Sequence, residues 1–131
     1  MNVFVYWLGS HPMLGRAAYE WIKRIEGSSK GKYVTSSLTP YETLIIIAGL
    51  SGKSLGDEGL VREVMDAMEN LSGLEITPLS LEDLDGASKL MRSYSLDYED
   101  ALHLAVALRC KAKEMVSNDE DFDRTPLKRR F

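Results

Sequence analysis

Glu42, Asp100 and Asp119 are the residues of this sequence best placed to do chemistry. Glu42 falls in the first turn of a helix expected after a strand, and Asp100 in the first turn of the helix expected over 97–110. Asp119 directly follows the strand expected over Glu114–Ser117. Each has a simpler role open to it: Glu42 completing a capping box with Thr39, Asp100 favouring a helix dipole, Asp119 capping a turn. Taken together, three acids from distant segments map to one end of a parallel sheet, where ligands of such sheets bind. Clustered carboxylates repel one another, and a divalent cation neutralises them. An all-oxygen set without His or Cys selects Mg²⁺ or Mn²⁺ over zinc. A site of that kind leaves room for water and a substrate phosphate, and the chemistry that suits it is phosphodiester hydrolysis.

Other chemistries are absent from the sequence. There is no phosphate-cradling GxxxxGK[ST], no GxGxxG after the first expected strand, no GxSxG and no HExxH. His11 lies in a turn and His103 inside an apolar helix, where it reads as a packed or hydrogen-bonded residue rather than a general base. The single cysteine, Cys110, offers no intrachain disulfide and no zinc site, which fits a reducing compartment.

The elements that must position these acids follow from the apolar patterning. Asn2–Leu8 (NVFVYWL) is β-branched and aromatic, and predicts a buried strand ended by Gly9-Ser10-His11-Pro12. Leu14, Ala17, Ala18, Trp21, Ile22 and Ile25 recur at helical spacing, and a short strand is expected over Lys32–Thr35. Thr39-Pro40-Tyr41-Glu42 has the spacing of a capping box and opens an apolar helix through Leu50. Asp57–Leu71 is an amphipathic helix, Leu74–Thr77 a strand, and Ser80–Tyr94 and Asp97–Cys110 two more helices. Short strands alternating with helices indicate βαβ units, and so an α/β class built on a parallel sheet.

With 131 residues, 44% of them hydrophobic and 27% charged, the chain suits one domain with a real core. The net charge of −4 argues against a protein that coats nucleic acid by bulk positive charge. That average hides an asymmetry. Residues 1–36 hold five bases against two acids, the last eight residues four bases and no acid, and the middle seven bases against eighteen acids. Lys23, Arg24, Lys30 and Lys32, with Arg124 and 128–130, are candidates for phosphate contacts. Tyr6, Trp7 and Trp21 read as core rather than as base-stacking surfaces. The helix pair between Thr39 and Leu71 carries more apolar area than one small domain buries, an argument for a homodimer or a partner groove. No stretch reaches the roughly 20 apolar residues of a membrane span, and a cytoplasmic location is expected.

The segments Asn2-Val3-Phe4-Val5-Tyr6, Ser36-Ser37-Leu38-Thr39 leading to Glu42, 96–105 (LDYEDALHLA) and 116–122 (VSNDEDF) resemble the PIN domain, in the right order over nearly the whole chain. The nearest branch is the VapC-type toxin ribonucleases of prokaryotic toxin–antitoxin pairs. The resemblance implies a single domain over 1–131 with a three-layer α/β/α fold and a central, mostly parallel sheet. It implies an Mg²⁺- or Mn²⁺-dependent endoribonuclease acting on RNA, held in check by an antitoxin protein. By position, Glu42, Asp100 and Asp119 are its catalytic and metal-site acids and Asp121 an outer acid for a second metal or an ordered water. Ser117 is the hydroxyl that orients a site carboxylate or water, and Asn2 matches the supporting Asn of the first motif. Asp97 and Asp123 fall off the motif and read as solvated helix-start and turn residues.

One position departs from the pattern. The family's first motif begins with an Asp two residues before the Asn matched by Asn2, and that place falls immediately ahead of Met1. Either the native chain starts further upstream, favoured because the other acids are all present, or one ligand has been lost. A carboxylate short, the chain is expected to bind metal and cleave RNA more weakly. The competing expectation is a catalytically degenerate PIN-like module that binds RNA or a protein partner.

Overall fold

In the computed structural model, which describes residues 2–131, Asn2–Leu8 is a helix and not the expected strand. Val3 and Phe4 are buried, and Tyr6, Trp7 and Leu8 pack partly against the same core. Burial at Val3, Phe4, Trp7 and Leu8 is the i, i+1, i+4, i+5 spacing of one helix face. A seven-residue helix is not stable alone. This one, α1, is held by packing on α2 (Gly15–Glu26) and α3 (Leu38–Ser51), and that tertiary contact overrides the β propensity of its residues.

The remaining elements run β1 (Tyr33–Ser36), α3, α4 (Glu58–Glu69), β2 (Leu74–Thr77), α5 (Leu81–Tyr94), α6 (Tyr98–Arg109), β3 (Glu114–Val116), a 3₁₀ turn (Glu120–Arg124) and β4 (Lys128–Arg130). All strand pairing is parallel, as expected, and it falls into two pairs. β1 lies on β2 with Tyr33 opposite Leu74 and Ser36 opposite Thr77. β3 lies on β4 with Glu114 opposite Lys128 and Val116 opposite Arg130. Two helical cores sandwich these strands. Ile22, Ile47, Val64 and Met68 belong to one, against which Tyr33, Leu74, Ile76 and Val116 pack; Ala87, Leu102 and Leu104 belong to the other, against which Met115 packs.

The helix starts show where sequence signals were strong. Ser80 and Asp83 make a reciprocal capping box on α5, Asp57 caps α4, and Asp97 caps α6 by accepting from the Asp100 amide at 2.8 Å. The box expected from Thr39 and Glu42 does not form. α3 begins at Leu38, one turn before Glu42, so both residues lie inside the helix. The Thr39 hydroxyl is 2.6 Å from that of Thr35 on β1, and the Ser37 hydroxyl accepts the Leu79 amide at 3.0 Å. These side chains tie α3 to the strands instead of capping it.

β4 carries the basic run that the sequence offered for phosphate contacts. As an edge strand it tolerates charge. Arg129 pairs with Asp123 at 2.8 Å, Arg130 with Glu114 at 3.2 Å, and Arg124 with Asp121 at 3.3 Å. Three of the four C-terminal bases are thus engaged within the chain.

Candidate active site

The carboxyl ends of β1 and β3 and the start of α6 converge on one cavity of about 800 Å³, lined at this end by Asn2, Ser36, Glu42, Asp100, His103 and Asp119. Asp119 arrives there because β3 ends at Val116 and the chain turns at once. The Asp119 amide donates to the Ser117 hydroxyl at 3.0 Å, and its own Oδ1 accepts the Asp121 amide at 2.9 Å. That second bond caps the 3₁₀ turn and brings Asp121 to the same point. Asn2, at the start of α1, donates from Nδ2 to the Ser117 hydroxyl at 3.3 Å and accepts the Asn118 amide at 3.4 Å. Asn2 and Ser117 therefore fix the loop that carries the two acids.

Asp100 enters from α6. A carboxylate oxygen from each of Asp100, Asp119 and Asp121 lies within 4.8 Å of the others, all three being partly buried. Burial, followed by the charges of Asp97, Asp119 and Asp121, pushes the Asp100 carboxyl up to about 7. The three groups resist full ionisation together at neutral pH, which is the electrostatic condition a divalent cation relieves. Their chemistry, oxygen only, fits a hard cation such as Mg²⁺ or Mn²⁺.

Glu42 lines the same cavity without joining that oxygen cluster among the described residues. Its Oε1 is 2.6 Å from His103 Nε2, with the two side chains 8% and 14% exposed. Burial raises the Glu42 carboxyl, but hydrogen bonds from His103 and Glu99 and the charge of His103 outweigh it and hold the group below its ordinary value. With Glu42 ionised, Nε2 is the donor. Glu99, hydrogen-bonded to Glu42 and repelled by its charge, is pushed up to about 7. A proton shared across Glu42 and Glu99 is the consequence.

Glu99 was not singled out from the sequence, and His103 was read there only as a packed helix residue. The signal for both is spacing: His103 lies four residues after Glu99 and three after Asp100, so all three reach neighbouring positions on α6. Asp97 and Asp123 stand apart from the cluster, one as a helix cap and the other in its pair with Arg129. Trp21 is half-buried on the cavity wall, with the Arg24 guanidinium 4.5 Å and that of Arg130 5.9 Å from its ring centre.

No curated protein and no solved structure matches the chain. The family model described as PIN domain matches residues 1–128, a span holding every acid of the cavity. On that match, with parallel strand pairs between helical layers and acids gathered at the strand ends, the chain belongs to the PIN domain family.

Proposed function

We propose that the protein is a divalent-metal-dependent endoribonuclease of the VapC type, the toxin of a toxin–antitoxin pair. PIN domains are generally nucleases, which sets the reaction class. The observation that carries the finer reading is the meeting of Asp100, Asp119 and Asp121 within 4.8 Å at the mouth of a cavity wide enough for a nucleotide. These three, with Glu42 on the adjoining wall, are the residues to hold Mg²⁺ or Mn²⁺. When bound, such an ion polarises a phosphoryl oxygen and lowers the pKa of a coordinated water.

The chain's own residues do the rest. Ser117 and Asn2 hold Asp119 in place, so its carboxylate needs little reorganisation when charge develops. His103 fixes the Glu42 carboxylate. Glu99, protonated until about pH 7, is a proton source at the cavity rim for a departing oxygen. Lys23, Lys30 and Lys32, with Arg24 beside Trp21, remain as phosphate contacts. Tyr41, Ile45, Leu50 and Leu55, 60%, 43%, 68% and 46% exposed, form the face offered to a second copy, in a homodimer, or to the antitoxin. No helix among the described residues is long and apolar enough to cross a membrane, and we place the reaction in the cytoplasm.

Incubation with whole-cell RNA in Mn²⁺ or Mg²⁺ tests this. The protein, or a form lengthened ahead of Met1 to include an Asp, should cut RNA, with cleavage abolished by EDTA and by Glu42→Gln or Asp100→Asn. If neither form cuts any RNA in the pool with metal present, the enzyme reading is wrong and the degenerate binding module replaces it.

A further inference from the structure

The same cavity has a second part. Beyond the acids it runs between the two strand pairs, walled on one side by Gly31–Ser36 and on the other by Glu114–Ser117, with Phe4 and Ile25 above and Val106 below. These walls are strand edges. Tyr33 and Ser37 donate their amides to the β2 side, to Gly73 and Thr77, so the alternation of a parallel strand turns the amides and carbonyls of Val34 and Ser36 away from β2, toward the cavity. Ser117 likewise donates to Arg130 on β4, which turns Glu114 and Val116 toward the cavity from the opposite side. Val34, on an inner strand, is 38% exposed.

Two unpartnered parallel edges facing one slot are the arrangement that takes up an added strand. A strand residue in a packed sheet fills about 3.3 by 4.8 by 10 Å, so a cavity of about 800 Å³ corresponds to roughly five residues. The direction is set as well. Asn2 sits at the carboxyl ends of β1 and β3, bonded to Ser117, and a segment leading into it through the slot would run parallel to both strands. It would return to β1 through α1 and α2, the crossover that parallel neighbours require.

We propose that the slot between β1 and β3 is filled by an apolar strand of about five residues, supplied by the chain on the amino side of Asn2. This strand joins the two parallel pairs into one continuous sheet in the order β2, β1, added strand, β3, β4. Its last residues lie against the acid cluster.

The test adds Val-Val-Ile-Val-Asp ahead of Met1 and, as a control, Val-Val-Pro-Val-Asp, whose proline removes a ladder donor. Amide exchange and thermal unfolding are read for both and for the 131-residue chain. The first addition should slow exchange at Val34, Ser36, Glu114 and Val116 by about 100-fold and raise Tm by about 5–10 °C, and the proline form should do neither. If the 131-residue chain does not fold by itself, the comparison between the two extended forms decides the same point. Equal exchange at those four amides in both extended forms overturns the proposal, as does full protection already present in the 131-residue chain. Protection by the free peptide but not by the joined one assigns the slot to a separate partner and overturns the source named here. None of these readouts uses RNA cleavage, so the outcome stands apart from that of the nuclease assay.

Discussion

Replacing Asp100 by Asn removes one of three crowded carboxylates while keeping shape and hydrogen-bonding capacity, and it should stabilise the metal-free protein at alkaline pH. The carboxyl is pushed from 3.8 to about 7 by burial and by Asp97, Asp119 and Asp121. At about 1.36 kcal/mol per pH unit this is a ceiling of roughly 4 kcal/mol. Asp100 is only half-buried, and solvent screening reduces the figure to about 1–2 kcal/mol. The sign follows from proton counting. Between pH 3.8 and about 7 the folded state holds a proton on Asp100 that the unfolded chain has released, so wild-type stability falls as pH rises through this window. Urea unfolding in EDTA should therefore give equal stability for wild type and Asp100→Asn below pH 3.8, and the full advantage of the variant at pH 8. Saturating Mn²⁺ should reverse the order, since a ligand at 100 times its Kd adds about 2.7 kcal/mol to the protein that binds it. A variant no more stable than wild type at pH 8 in EDTA would refute the argument that these carboxylates repel one another. Equal stabilisation of both proteins by Mn²⁺ would refute Asp100 as a ligand.

His103→Ala should leave the buried Glu42 carboxylate without its donor and cost about 1–3 kcal/mol, measured by thermal unfolding; His103→Gln should recover part of the loss. Arg109→Met should destabilise the protein at neutral pH, because Arg109 makes two 2.9 Å bonds to Asp83, whose side chain is 2% exposed. The Arg109 bond holds Asp83 below its ordinary value of 3.8, so the contribution is present above that pH and lost as pH falls through the folded value; urea midpoints in acid should converge. Gly73→Ala should cost about 2–4 kcal/mol, since a methyl group there would collide with the Ile25 carbonyl, to which the Gly73 amide donates at 3.1 Å. A chemical-denaturation midpoint unchanged by Gly73→Ala would show that α2 and β2 do not meet as described.

Much of this molecule was legible in the order of its residues. Helical periodicity marked α2 and α4–α6, and β2 was read to the residue, because in these segments local pattern and tertiary burial agree. The acids Asp100 and Asp119 were found because a carboxylate just after a strand or at a helix start falls at the sheet's ligand-binding end whatever the details. What tertiary structure decided was direction and partnership. Asn2–Leu8 carries strand-forming residues, yet its burial against α2 and α3 makes it a helix, a choice no local preference could make. Thr39 and Glu42 have the spacing of a cap, but α3 starts a turn earlier and turns them inward, to Thr35 and His103. β4 is basic and reads as a tail until Glu114 and Asp123 pair with it. The coupling of Glu42 to Glu99, which sets where a proton rests, joins residues 57 positions apart. Sequence determines which groups can ionise and where a chain can turn locally; electrostatics and packing act through distance in space, and only the folded chain brings those charges to within a few ångströms.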